Sequence, residues 1–190
     1  MYLYNSPEYA ETNFAAMKIG GVPINVNYRY LDDELHYLLE NADIEALVFH
    51  SSLGDRVARV CDRLPMLKAM ICVDDGPTED SSMGPTTGIP YDTFLAQASG
   101  TAKTQPQGDE IYMLYTGGTT GMPKGVMYPL DAFTGFFMRG FPPMIGLPPF
   151  EDAAQFGPAA RQMVDANTTI VAMSGPPLMP VSYTHLRAHE

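Results

Sequence analysis

The sequence predicts an α/β fold, a mostly parallel sheet flanked by helices. Short apolar, β-branched runs alternate with segments whose apolar residues recur at helical spacing, and strand–helix–strand order favours a parallel sheet covered by helices. A length of 190 residues with 45% hydrophobic content supplies the core of about one large domain. A glycine-rich stretch follows directly on a strand-like run, which is where open α/β sheets gather their ligands.

Taken in order, "SPEYAETNFAAMKIG" opens with a serine start signal and Pro7 just inside, then places Tyr9, Phe14, Met17 and Ile19 at roughly helical spacing. Gly20 and Gly21 stop that helix. "VPINVNY" reads as a short strand with Pro23 at its entry. "LDDELHYLLENAD" puts Leu31, Leu35, Leu38 and Leu39 on one helical face, with Asp32 and Asp33 at the positive N-terminal end. "IEALVFH" is a strand. "SSLGDRVARVCDRLP" is an amphipathic helix with Ser51 or Ser52 as cap, and "LKAMICVDD" is another strand. Right-handed crossovers should join these strands. Residues 75–109 are rich in Gly, Pro, Ser and Thr and read as an excursion with one helical patch at "YDTFLAQAS". "EIYMLYT" is a strand that enters the glycine stretch. "PLDAFTGFFMRG" is helical, a proline-rich surface segment follows, and "NTTIVAMSGPPLM" is one more strand.

Composition removes several function classes. A net charge of −11 with no run of Lys or Arg argues against a nucleic-acid surface. Any anionic ligand must therefore be held locally, by backbone N–H groups and a lysine. Cys61 and Cys72 lack metal-ligand spacing and read as small buried apolar side chains in a reducing compartment. The start of the chain has no signal-peptide pattern, and no apolar run reaches the ~18 residues of a spanning helix. A cytoplasmic protein is expected.

His36, on a helix among Leu and Tyr, reads as a partly exposed helix residue, and His50 as a strand end with a weaker claim to a site. Asp74 and Asp75 could suggest a metal pair. They follow a strand and precede Gly-Pro, which favours a solvated turn.

The chemistry concentrates in "YTGGTTGMPKGV", Tyr115 to Val126. Glycine lets backbone N–H groups approach crowded phosphate oxygens, threonine hydroxyls add donors, and a lysine adds mobile positive charge. The P-loop needs Gly-Lys-Ser/Thr, whereas Pro123 precedes Lys124 and Gly125 follows it. The dinucleotide fingerprint needs G-x-G-x-x-G opening a helix, which Gly117, Gly118, Gly121 and Gly125 do not supply. A glycine-rich hairpin turn alone would explain neither the threonines nor the lysine.

The stretch resembles the phosphate-binding signature of the adenylate-forming enzymes, the superfamily of acyl-CoA synthetases, peptide-synthetase adenylation domains and luciferases. That signature is commonly Tyr-Thr-Ser-Gly-Thr-Thr-Gly-x-Pro-Lys-Gly-Val. Ten of its eleven specified positions match, Gly117 standing where serine is common. "YNSPEYAETNFAAMKIGGV" and "VPINVNYRYLDDELHYLLENADIEALVF" are similar to early segments of acyl-CoA synthetases, and the likeness leans towards fatty-acyl or steroid-type CoA ligases.

The resemblance implies an ATP-dependent acid–thiol ligase. A carboxylate would attack the α-phosphate of Mg·ATP, and coenzyme A would then displace AMP from the acyl-AMP. It implies that Thr116, Gly117, Gly118, Thr119, Thr120, Gly121 and Lys124 hold the ATP phosphates, with Thr120 a candidate contact to Mg2+. Pro123 and Gly125 would shape the loop and Tyr115 would pack at the strand end. The expected partners are a carboxylic acid, ATP and CoA. The alternatives are an acyl-AMP ligase or amino-acid adenylation domain, and a non-catalytic nucleotide-binding module.

The adenine segment, the later ribose motif and the C-terminal catalytic lysine of such enzymes have no counterpart here. The chain is therefore expected to be an N-terminal fragment, inactive alone, with residues 1–179 forming part of the AMP-binding domain. Residues 180–190 leave the family pattern and resemble translated sequencing-adapter sequence. An exposed tail, or a metal site from His185 and His189, are the other readings.

Overall fold

The computed structural model describes residues 1–76, 88–100, 108–118 and 121–168. Within these, two compact units are distinguished: residues 1–76, 88–100, 113–118 and 121–126 form one, and residues 108–112 and 127–168 the other.

The first unit is built on a parallel sheet. Strand β1 (Ala46–His50) pairs with β2 (Ala69–Val73), from Ala46 opposite Ala69 to His50 opposite Val73. Strand β3 (Ile89–Pro90) adds to the far side of β2, and an isolated parallel bridge between Tyr2 and Phe49 extends the near side. Alternation along the strands feeds two separate cores. Leu47, Phe49 and Cys72 join Leu35, Leu38, Leu39, Val57 and Val60 on one side. Val48, Ile71 and Val73 join Leu3 and Tyr9 on the other. Both faces are thus covered, as parallel sheets require.

The helices form for local reasons visible in their ends. In α1 (Pro7–Lys18), Ser6 Oγ accepts the Tyr9 N–H and Pro7 occupies the first turn, where its missing N–H costs nothing. The helix closes with Gly20 at φ +75° and a Gly21 N–H to Ala16 carbonyl bond of 2.8 Å. Helix α2 (Asp32–Asn41) starts with Glu34 accepting the Leu31 N–H at 3.1 Å. Leu31 is the flanking residue and is exposed, so the expected four-leucine face reduces to Leu35, Leu38 and Leu39. Helix α3 (Gly54–Cys61) is preceded by a 3-10 turn at Ser51–Leu53. Arg59 of α3 holds Asp32 of α2 in a two-pronged pair at 2.7 and 3.1 Å. That contact keeps the Asp32 carboxyl below the usual carboxylate range.

The structure departs from the sequence reading at several points. "VPINVNY" forms no strand. It makes a single parallel bridge, Ile24 to Met113. Two of its backbone groups go to residue 1: the Met1 amino group donates to the Ile24 carbonyl at 2.6 Å, and the Val26 N–H to the Met1 carbonyl at 2.9 Å. Neither Ser51 nor Ser52 caps α3: both lie in the preceding 3-10 turn, Leu53 stands at the cap position, and both hydroxyls donate to Asp75, just beyond β2. Cys72 is buried as expected, but Cys61 is only half-buried. The excursion after Asp75 returns to the sheet as β3, followed by α4 (Tyr91–Ala96). Tyr91 of α4 donates to Glu11 of α1 at 2.8 Å.

Strand β4 (Ile111–Gly118) carries the first part of the glycine stretch. The sequence reading runs the loop directly into the next helix, whereas Gly121–Pro129 forms a further strand, β5, paired to β4. The two strands are joined across positions 119 and 120, a connection short enough for antiparallel pairing alone. Pro123 fits because a two-stranded ribbon leaves edge positions without ladder bonds.

In the second unit, α5 (Leu130–Met144) runs through Pro142 and Pro143, beyond the expected end of the helix. Pro142 cannot donate to the Met138 carbonyl, and the Phe150 N–H takes that acceptor at 2.9 Å. Phe133 of α5 stacks on Tyr112 of β4 with ring centroids 4.9 Å apart. Phe150 is buried against Phe156, the first residue of an unforeseen helix α6 (Phe156–Asp165). The strand expected at "NTTIVAMSGPPLM" falls outside the described residues from position 169 onward, as do His185, His189 and the rest of the 180–190 tail.

Candidate functional site

Two places gather polar side chains at strand ends, the glycine-rich end of the β4–β5 ribbon and the carboxyl ends of β1 and β2. At the ribbon, a buried residue adjoins an exposed one in each strand close to the glycines. Tyr115 is buried and its neighbour Thr116 is exposed; Pro123 is buried and Lys124 is exposed. Gly125 returns to a partly buried position against the Tyr115 ring, where an added Cβ would lie 3.1 Å from Tyr115 Cε2 and 3.2 Å from Met113 Sδ. The Tyr115 hydroxyl donates to Asn41 Oδ1 at 2.7 Å. Burial, with Tyr37 and Asp43 nearby, pushes the phenol above its ordinary pKa, so it remains a donor at neutral pH.

Of the residues expected to hold phosphate, Thr116 and Lys124 are therefore on one ribbon and open to solvent. Gly117 and Gly118 end β4 and Gly121 begins β5. Thr119 and Thr120 lie outside the described residues. The arrangement offers a hydroxyl, a cation and glycine backbone at the end of a ribbon, which suits an oxyanion-rich ligand. Among the described residues, no group of three or more His, Cys, Asp or Glu could hold a metal ion. Mg2+ takes most of its ligands from phosphates and water, so a protein hydroxyl fits an ion that arrives with a nucleotide, whereas the Lys124 ammonium, which cannot ligate a cation, fits only the phosphates.

The carboxyl ends of β1 and β2 bring together His50, Ser51, Ser52 and Asp75, a combination suggestive of nucleophilic catalysis. The hydrogen bonds exclude it. His50 is buried, and its Nδ1 accepts the Tyr4 N–H at 2.9 Å, which leaves the neutral ring with its proton on Nε2. Both serine hydroxyls donate to Asp75 instead of to the imidazole. Burial holds His50 below its ordinary pKa, against the pull of Asp75 and Glu8. For Asp75, burial acts upward, but bonds from Ser51, Ser52 and the Ser52 N–H outweigh it and the carboxyl is held low. Asp74 Oδ1 accepts the Gly76 N–H at 3.0 Å, with Gly76 at φ +97°, so the aspartate pair builds the expected turn. His36 lies on α2 as the partly exposed helix residue expected, its Nδ1 3.8 Å from Glu40 Oε2.

The sequence reading did not single out Asn41 or the serine–Asp75 bonds. These are long-range contacts, 74 residues apart for Asn41 and Tyr115 and 23 for Ser52 and Asp75, and no local pattern announces them.

The chain is similar in sequence and in fold to known proteins. A 3-oxocholest-4-en-26-oate–CoA ligase of Rhodococcus rhodochrous is 43% identical over 130 residues, covering 67% of this chain and 23% of that protein. The medium-chain acyl-CoA ligase Mig of Mycobacterium avium is 34% identical over 172 residues, covering 86% of this chain and 30% of that protein. The chain thus spans between 23% and 30% of the length of these relatives. In fold it is similar to an anthranilate CoA ligase, AuaEII, solved with anthranoyl-AMP, at a TM-score of 0.56 and 24% identity over 67% of this chain and 24% of that one. It is equally similar to a Brucella canis acyl-CoA synthetase, at 0.56 and 22% identity over 73% and 24%. Among the described residues, no helix is long and apolar enough to cross a membrane. The family model for the AMP-binding enzyme matches residues 1–148, most of the chain, and the chain belongs to that family.

Proposed function

We propose that this chain carries the ATP-phosphate-binding part of an ATP-dependent acid–thiol ligase that forms acyl-CoA. The observation that carries the reading is the β4–β5 ribbon, which exposes Thr116 and Lys124 while burying Tyr115 and Pro123. The likeness to CoA ligases acting on a steroid side-chain acid and on medium-chain acids supports an apolar carboxylic acid as substrate. On this reading residues 1–179 are part of one adenylation domain, and residues 180–190 are foreign to it.

In the first half-reaction a carboxylate oxygen bonds to the α-phosphorus of ATP, and the bond to the bridging oxygen breaks to release pyrophosphate. In the second, the CoA sulfur bonds to the acyl carbon, AMP leaves, and the thiol proton passes to solvent. Thr116, Gly117, Gly118, Thr119, Thr120 and Gly121 cradle the β- and γ-phosphates, and Lys124 neutralises charge that grows on the departing pyrophosphate. Mg2+ supplies further neutralisation when it arrives with ATP, with Thr120 as its candidate protein contact.

The test is carboxylate-dependent ATP–pyrophosphate exchange by the full-length enzyme, followed by thioester formation with CoA. Lys124→Ala should raise the KM for MgATP roughly tenfold or more, the worth of a charge-assisted hydrogen bond. Absence of exchange with every fatty and steroid acid tried refutes the ligase reading. Exchange without thioester would favour the acyl-AMP ligase.

A further inference from the structure

Tyr115 opens the glycine stretch, yet at 4% exposure its side chain is not available to a ligand. Its contacts point elsewhere. The ring lies against the backbone of Gly125, with an added Cβ there reaching 3.1 Å from Cε2 and 3.2 Å from Cζ. Its hydroxyl reaches Asn41 Oδ1 at 2.7 Å. Asn41 is the last residue of α2, and the chain turns away just beyond it with Asp43 at φ +46°. Helix α2 is itself fixed by Leu35, Leu38 and Leu39, which are almost wholly buried.

The ring therefore braces both strands of the ribbon against a packed helix. It does so next to the two exposed ligand candidates: Tyr115 adjoins Thr116 in β4, and Gly125 adjoins Lys124 in β5. Because neighbouring residues of a strand point to opposite faces, seating Tyr115 inward sets Thr116 outward, and seating Gly125 on the ring sets Lys124 outward. A residue with a Cβ at 125 would hold the strand off the ring.

We propose that Tyr115 is a positioning residue for nucleotide binding, tethered to Asn41 and seated on Gly125 so that Thr116 and Lys124 are held ready for the phosphates. The proposal rests on the ribbon tip being the phosphate site. Tyr115 touches no substrate and acts through the stance of the ribbon.

The experiment uses the full-length enzyme and steady-state pyrophosphate exchange with MgATP and acid varied separately. Tyr115→Phe and Asn41→Leu should each raise the KM for MgATP about two- to tenfold, the range of one hydrogen bond, with the KM for the acid unmoved. Asn41→Asp keeps an acceptor at an exposed position and should restore the MgATP KM. The double variant Tyr115→Phe/Asn41→Leu should be no worse than the poorer single variant. If the single variants lower only the melting temperature and leave the MgATP KM at the parent value, or if Asn41→Asp behaves as Asn41→Leu, the positioning role is overturned. Lys124→Ala separates the two levels: should it leave the MgATP KM unchanged, the phosphate site itself is misplaced and the positioning role falls with it. Should it raise the KM while Tyr115→Phe does not, only the positioning role fails.

Discussion

Replacing Tyr2 with Phe removes one oxygen from a cluster that ties three segments of the first unit together. The Tyr2 hydroxyl is fully buried with its ring and accepts from Arg56 Nη1 at 2.8 Å. Its proton is shared between the Tyr28 and Tyr30 carbonyls at 3.3 and 3.4 Å. Arg56 Nη1 also reaches the Tyr28 carbonyl at 3.0 Å. The hydroxyl therefore joins the N-terminal extended segment, the turn before α2, and α3. Tyr2→Phe loses one charge-assisted bond and one long carbonyl contact. Arg56 keeps the Tyr28 carbonyl, and its side chain is partly exposed, so water replaces some of the loss. About 1.5 kcal/mol of destabilisation follows. Arg56→Met keeps the apolar stem and loses both bonds, at a cost of about 2 kcal/mol. Independent effects would sum to about 3.5 kcal/mol in the double variant, whereas a shared bond should hold it near 2.5 kcal/mol, a coupling of about 1 kcal/mol. Urea unfolding followed by far-ultraviolet circular dichroism resolves this difference, since slopes for such chains are about 1–3 kcal/mol per molar. Single variants within about 0.5 kcal/mol of the parent, or strict additivity, would refute the view that this cluster acts as a unit.

Acidification should reveal His50. Its folded-state pKa lies below the ordinary 6.5, so its contribution is whole above about pH 6.5 and is lost as the pH falls towards the folded-state value. The melting temperature should therefore drop between pH 7 and pH 5.5, and His50→Asn, whose Oδ1 can accept the Tyr4 N–H in place of Nδ1, should flatten that drop; an unchanged slope would assign it to other groups. Gly125→Ala should lower the melting temperature and loosen amide-exchange protection in the ribbon, because the new Cβ meets the Tyr115 ring at 3.1 Å. The loss should be about 1–3 kcal/mol, and Gly125→Ala/Tyr115→Leu should recover part of it.

The sequence made the helices legible wherever their ends carried chemistry. Ser6, Pro7 and Gly20 bracket α1, and Glu34 with the buried leucines defines α2. Two of the failures share a physical cause, competition from contacts distant in sequence. Ser51 and Ser52 are good capping residues, but Asp75 lies within reach across the strand ends and takes both hydroxyls. "VPINVNY" has strand composition, but residue 1 occupies backbone groups that a ladder would use. Strand β3 is two residues long, Ile89 and Pro90, too short to leave a pattern. In α6, Gly157 and Pro158 look like breakers, yet they stand in the first turn, where a missing donor is tolerated. At the candidate site the residue types were legible and the ribbon was not, because Pro123 and the glycines argue against a strand until the partner strand is known.

The ribbon also divides the glycine stretch into two kinds of position. Thr116 and Lys124 meet solvent, whereas Tyr115, Pro123 and Gly125 turn into the protein. A phosphate site needs donors that do not reorganise when charge develops, and flexible glycine backbone alone cannot supply that rigidity. On the proposed reading of the ribbon as a phosphate site, the inward set answers the problem: it fixes the two strands at residues adjoining the outward donors and leaves the glycine backbone beside them for a close approach to oxygen. The requirement for Gly-rich sequence at the tip and the requirement for a bulky aromatic at its base are therefore one requirement. Removing the brace should act on phosphate affinity by a different route from removing Lys124, through geometry instead of charge. Its effect should persist at high ionic strength, where the electrostatic contribution of Lys124 is screened.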